Sequence, residues 1–101
     1  MTTEALLTKI KNCMRIRHDA LDDTITDDIK AGALELQRAG VSVYEENRIR
    51  DDELIYTAIR YFVMAAEDYN GKAQQYQLSF ERLRDALSLS GEYKCETNLS
   101  D

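Results

Sequence analysis

The stretch from Asp52 to Tyr69 constrains this chain more than any other, because so little of it is polar. At about 100° per residue, Leu54, Ala58, Tyr61, Phe62, Ala65 and Tyr69 share one stripe. Ile55, Ile59, Val63 and Ala66 widen that arc past half the circumference. Only Tyr56, Thr57, Arg60, Glu67 and Asp68 are left as a polar strip. A helix apolar over so wide an arc must be touched on several sides. The spacing therefore predicts a central helix over 52–69, stopped by Asn70-Gly71.

Three further helices supply its cover. The first is predicted from about Thr3 to Met14, with Thr2 or Thr3 as cap and Glu4 where the helix dipole favours negative charge. Leu6, Leu7, Ile10, Cys13 and Met14 fall on its one apolar face. The second should start after Asp19 and end at Ala39, with Gly40 as its stop. Leu21, Ile25, Ile29, Gly32, Leu36 and Ala39 lie within a sector about 80° wide, and Asp22, Asp23, Asp27 and Asp28 crowd the first turns. Gly32 inside that stripe costs about 1 kcal/mol relative to alanine, so a neighbouring helix is expected to approach closely there. The fourth runs from about Lys72 to Leu89. Tyr76, Phe80, Leu83 and Leu87 turn inward, while Leu78 and Leu89 point nearly opposite, beside Arg82 and Asp85.

The chain has no proline and four glycines, which favours helices joined by short loops. The predicted fold class is all-α: a small four-helix bundle-like domain around a central third helix. Its 101 residues make one domain, expected over 1–93. Residues 92–101 (EYKCETNLSD) show no periodic pattern and read as mobile, with 94–101 set apart from the domain as a flexible C-terminal tail. Between Val41 and Arg50 the apolar residues alternate only briefly. An exposed arm with a short extended piece, not a sheet, is expected there.

A net charge of −6 and a pI near 4.7 argue against a protein that grips nucleic acid, since that affinity comes from Lys and Arg on phosphates. They suit a negative wall past which a duplex can move without sticking. Cys13 and Cys95 are too few for a disulfide framework and lack metal-ligand spacing, so two reduced thiols are expected. No apolar run reaches the roughly 20 residues of a membrane span, and MTTEALLTKIK lacks the apolar block of a secretion signal. An intracellular product without membrane association is expected.

Catalytic constellations are missing from the pattern. His18, the one histidine, sits in the polar junction Arg17-His18-Asp19 and reads as a surface or capping residue. No Glu-x-x-His motif marks a di-metal bundle. Asp22-Asp23 and Asp27-Asp28 lack the glycine and spacing of a calcium loop. Asn70-Gly71-Lys72 has no glycine-rich phosphate cradle before it and reads as a turn. No catalysis, metal or cofactor is expected.

Contact surfaces are more promising. Leu78 and Leu89 beside Arg82 and Asp85 combine exposed apolar groups with opposite charges, a mixture suited to a subunit contact. The arm offers Tyr44, Glu45, Glu46, Arg48 and Arg50, and Tyr and Arg are frequent interface anchors. Leu34 lies on the polar side of the second helix, beside Asp23, Asp27 and Arg38.

The ending of the chain is distinctive: Tyr76, Phe80, Leu83-Arg84-Asp85, Leu87, Leu89-Ser90-Gly91 and Tyr93. It resembles the closing helix of the small head–tail connector (adaptor) proteins of tailed bacteriophages, a family also described as phage DNA-packaging proteins. The resemblance spans residues 3 to 93. It implies a non-enzymatic virion protein made in the host cytoplasm, forming a homo-oligomeric ring beneath the portal protein at the head–tail junction. Such a ring extends the DNA channel, with double-stranded DNA as passing cargo, and docks the next stopper or tail-completion protein. Ring contacts would be head-to-tail, pairing the outer side of the fourth helix with the second helix or the 41–50 arm. The competing expectation is an acidic helical inhibitor of DNA-mimic or anti-repressor type, with the carboxylates of the second helix standing in for phosphates.

Overall fold

The computed structural model describes residues 2–93, and it is all-α apart from one minimal hairpin. In chain order the elements are α1 (Thr3–Cys13), α2 (Asp22–Arg38), β1 (Tyr44–Glu45), β2 (Arg48–Ile49), α3 (Glu53–Ala66) and α4 (Ala73–Leu89). The expected tail, 94–101, lies outside the described residues.

The first two helices follow their stripes. Thr2 caps α1, its Oγ1 accepting from Ala5 N at 3.0 Å. Leu6, Ile10 and Met14 are buried, with Leu7 and Cys13 packed beside them. α2 starts later than expected, at Asp22, because residues 18–21 form the connecting turn. There the exposed His18 Nδ1 accepts from Ala20 N at 3.3 Å. Lys11 fixes that start by binding Asp22 at 2.7 Å and Asp19 at 3.2 Å. α2 closes on a Schellman motif: Val41 N donates to Leu36 O and Gly40 N to Gln37 O, with Gly40 at φ +93°.

α3 is the central helix, packed against both α2 and α4. Gly32 of α2 explains the intimacy of one contact. A Cβ there would lie 3.1 Å from Phe62 Cγ, so the expected close approach is real and its partner is an aromatic ring. Phe62 in turn meets Phe80 of α4 edge-on, with centroids 5.2 Å apart. The buried arc of α3 is rotated from the expected one. Ile55, Tyr56, Ala58, Ile59, Val63 and Met64 are buried, while Leu54 is exposed. Tyr56, expected on the polar strip, is drawn inward between cations: Lys9 Nζ stands 4.1 Å from its ring centroid and Arg60 5.6 Å. Such contacts let a tyrosine ring be buried beside charge.

α3 also stops short of Tyr69. Asp68 and Asn70 both adopt left-handed backbone, φ +50° and +57°, a conformation that short polar side chains tolerate and that ends a helix. A single turn of 3-10 helix over Tyr69–Gly71 follows, and Asp68 Oδ1 accepts from Ala73 N at the start of α4.

The 41–50 segment corrects the expected exposed arm. It is a true antiparallel hairpin, pairing Tyr44 with Ile49 and Glu45 with Arg48. Glu46 and Asn47 turn the corner at φ +53° and +66°, the backbone of a type I′ turn. Val41, Val43 and Ile49 are sunk in the core, so only the tip projects. Tyr93 corrects the reading of the residues after Gly91: it is buried, and its carbonyl accepts from Ser42 N at 2.6 Å. No helix among the described residues is long and apolar enough to cross a membrane.

Candidate interaction surface

α4 has two unlike faces. Phe80 and Leu87 are buried, and Tyr76 and Leu83 pack half-buried against the core. On the other side Leu78 is 47% and Leu89 82% exposed, as their position opposite the stripe predicts. Arg82 and Asp85 are exposed between them. At helical periodicity these four fall within about 60° of one another, forming a ridge ordered leucine, arginine, aspartate, leucine. Asp85 binds its neighbour Arg84 at 3.0 Å, while Arg82 makes no ion pair among the described residues. Leu89 is the most exposed of the described large hydrophobic side chains, so burying it would remove the most apolar surface among them from water.

A groove of about 470 Å³ runs between α3 and α4 on one flank of this ridge, with Leu54, Tyr61, Arg82 and Leu83 in its walls. On the other flank a more polar depression of about 410 Å³ separates α4 from the end of α2, between Glu35, Arg38, Arg84 and Asp85. Leu34, 52% exposed on α2, stands apart from both.

The hairpin divides the remaining expected contact residues. Tyr44, 41% exposed, and Arg48 project at the tip, where Arg48 faces Glu45 across the strands. Opposite charges in that register favour the hairpin itself. Arg50 is not with them. It is half-buried, donates from Nη1 to Ser42 O at 3.1 Å, and lies 5.1 Å from the Tyr93 ring centroid. Arg50 therefore ties the hairpin base to Tyr93 and does not project with the tip residues. The cause is a contact between distant segments that local pattern does not reveal.

Two polar clusters escaped the sequence reading. One is the α3 cap: Asp52 Oδ1 accepts from Leu54 N at 2.9 Å and Ile55 N at 3.1 Å, and its Oδ2 accepts from Tyr93 Oη at 2.9 Å. Asp52 two residues before an apolar run was a legible cap signal; its third bond was not. The other joins α2 to the end of α3. Asp28 Oδ2 is sealed from solvent, no N–H or hydroxyl among the described residues donates to it, and the Asp28 carboxyl meets that of Glu67, where a hydrogen bond needs a proton held between the two acids. Burial, the hydrogen bond with Glu67 and the charges of Glu67 and Asp27 push the Asp28 carboxyl up to about 7. Two carboxyls share such a contact only when one keeps a proton.

Cys13 is half-buried under Arg60, whose Nη1 approaches its Sγ at 3.5 Å, and it forms no disulfide. Among the described residues no group of three or more His, Cys, Asp and Glu is placed to hold a metal ion. What the molecule presents outwardly is thus the α4 ridge, the α3–α4 groove, Leu34 and the hairpin tip. No family model, no curated protein and no solved structure matches this chain.

Proposed function

We propose that this chain is a non-enzymatic assembly subunit that forms a homo-oligomeric ring, of the kind its closing segment resembles: a head–tail connector of a tailed phage. In that role the ring sits beneath the portal protein, continues the DNA channel, and seats the next stopper or tail-completion component.

The observation that supports this reading best is the placement of apolar side chains on the outside. Leu34 on α2, Leu78 and Leu89 on α4, and Tyr44 on the hairpin are exposed on separate elements. Head-to-tail closure needs at least two unlike patches per subunit, and these elements supply more than two. The surplus of acid, −6 per chain, keeps a passing duplex from adhering.

Imaging of the purified chain by negative stain, alone and mixed with a tailed-phage portal protein, tests the reading. Rings with a central hole, or a collar added to the portal, are expected. A chain that stays solitary in both mixtures, or that instead captures a basic DNA-binding protein in a salt-sensitive complex, would reject the connector role. The second result would favour the acidic-mimic function.

A further inference from the structure

The α4 ridge carries a property beyond exposure: its order is self-complementary. Leu78, Arg82, Asp85 and Leu89 are spaced by four, three and four residues. That spacing reads the same in both directions, while the two charges exchange places on reversal. We infer that the α4 ridge binds a second copy of itself, antiparallel, about a two-fold axis passing between Arg82 and Asp85.

In that register Leu78 of each copy meets Leu89 of the other, and Arg82 of each meets Asp85 of the other. The ridge extends about 16 Å at 1.5 Å per residue, so all these pairs lie within three helical turns. All of the side chains involved are exposed, and Arg82 has no ion partner among the described residues to give up. Asp85 keeps one carboxylate edge on Arg84 and can accept a second guanidinium. An isologous contact of this kind needs only one patch per subunit.

Other pairings of the exposed helix faces fare worse. The outer face of α2 repeats the same spacing as Asp23, Asp27, Lys30 and Leu34. Laid antiparallel on the α4 ridge, it sets Lys30 against Arg82 and Asp27 against Asp85, like against like. Laid parallel, it matches Asp27 with Arg82, Lys30 with Asp85 and Leu34 with Leu89. It then leaves Leu78 facing the carboxylate of Asp23. Parallel pairing of α4 with itself opposes Arg82 to Arg82 and Asp85 to Asp85. Of these pairings, the antiparallel α4 pair alone satisfies every position.

The pairing goes beyond the ring and does not depend on it. It uses neither Leu34 nor Tyr44, so the α2 and hairpin patches stay open for head-to-tail contacts. One helix pair buries less than a standard interface, so the dimer is weak and concentration-dependent.

Sedimentation equilibrium of the full chain, with reductant present to keep Cys13 and Cys95 from cross-linking, tests this over a range reaching millimolar concentration. Reversible self-association is expected for the wild type. Arg82→Asp and Asp85→Arg singly should each weaken it by about tenfold or more. The double variant Arg82→Asp/Asp85→Arg restores the Arg–Asp pairs and should recover it. Circular dichroism checks that each variant stays helical. Rescue of Arg82→Asp by Asp27→Arg, and not by Asp85→Arg, would overturn the inference in favour of an α2–α4 contact. A wild type that remains monomeric throughout, or association indifferent to the single charge reversals, would overturn it outright. Failure of ring formation by imaging leaves this result standing, so the two readings fail separately.

Discussion

The hydroxyl of Tyr93 donates to Asp52 Oδ2 at 2.9 Å while Asp52 Oδ1 caps α3. One carboxylate thus ends the hairpin connection, begins the central helix and holds down the end of the described chain. The carboxylate raises the Tyr93 phenol above its ordinary range by accepting that hydrogen bond. Tyr93→Phe should lower stability by about 1 kcal/mol, the net worth of one such bond. Asp52→Ala removes two cap bonds as well and should cost about 2 kcal/mol or more. Urea unfolding of both and of the double variant measures the coupling. Strictly additive losses would show that Tyr93 and Asp52 act independently.

The Asp28–Glu67 contact makes stability depend on pH in a predictable direction. The Asp28 carboxyl rises from 3.8 to about 7 on folding, so the folded state holds the proton more tightly than the unfolded one. Its favourable contribution is complete below the unfolded value and is lost as pH climbs through about 7. Asp28→Asn keeps a hydrogen-bond donor toward Glu67 and removes the charge. It should match wild type near pH 4 and exceed it at pH 8 by about 1–2 kcal/mol, after allowance for solvent screening of a half-exposed pair. Thermal melts across that range supply the readout. A constant offset between the two proteins would refute the shared proton.

At Gly32 two effects oppose each other. Alanine normally gains about 1 kcal/mol over glycine inside a helix. Here the added methyl would stand 3.1–3.2 Å from three atoms of Phe62, and that ring is braced by Phe80. Overpacking of this kind costs about 1–3 kcal/mol, so Gly32→Ala should destabilise. Adding Phe62→Leu should relieve much of the penalty. A stabilised single variant, by urea midpoint, would mean that α2 and α3 can part without cost.

How much of this was visible in the residues themselves follows from the range of the interactions. α1, α2 and α4 each alternate a clear apolar stripe with a polar face, and Ile25, Ile29, Leu36, Phe80 and Leu87 are buried where the 3.6-residue period puts them. α3 has too little polar surface to orient it, so the period could not choose between Leu54 and Tyr56; Lys9 and Arg60 made the choice. The hairpin was missed because its strands are two residues each and its turn is Glu46-Asn47, not the usual Asn-Gly. Of the ridge, Leu78, Arg82, Asp85 and Leu89 were all legible, since exposure opposite a stripe is local information. Arg50 and Tyr93 were misplaced because each answers to a partner about 40 residues of chain or a hairpin away, which no local pattern encodes.

That turn offers a direct gain. Glu46 and Asn47 both hold positive φ, which costs a residue with a Cβ but not glycine. Asn47→Gly, and Glu46→Asn alongside it, should stabilise the fold by a few tenths to about 1 kcal/mol without altering any buried contact. Hydrogen exchange at Arg50 N, which donates to Val43 O at 2.8 Å, should slow in the same variants. Unchanged exchange with raised stability would locate the gain outside the hairpin.

The sharpest contrast lies within α4 itself, between residues two positions apart. Phe80 is buried against Phe62, and Leu78 is almost half exposed. Truncating Phe80 to alanine should cost about 3–5 kcal/mol, a large share of the 5–15 kcal/mol typical of a domain. Leu78→Ala and Leu89→Ala should each change monomer stability by less than about 0.5 kcal/mol. If the ridge exists for association, the order of effects reverses when self-association is measured at high concentration on folded protein. Leu89→Ala and Leu78→Ala then weaken it, while a conservative core change such as Leu87→Met leaves it intact. Loss of monomer stability at Leu78 or Leu89 comparable to that at Phe80 would show that the ridge is packed within the chain and has no surface role.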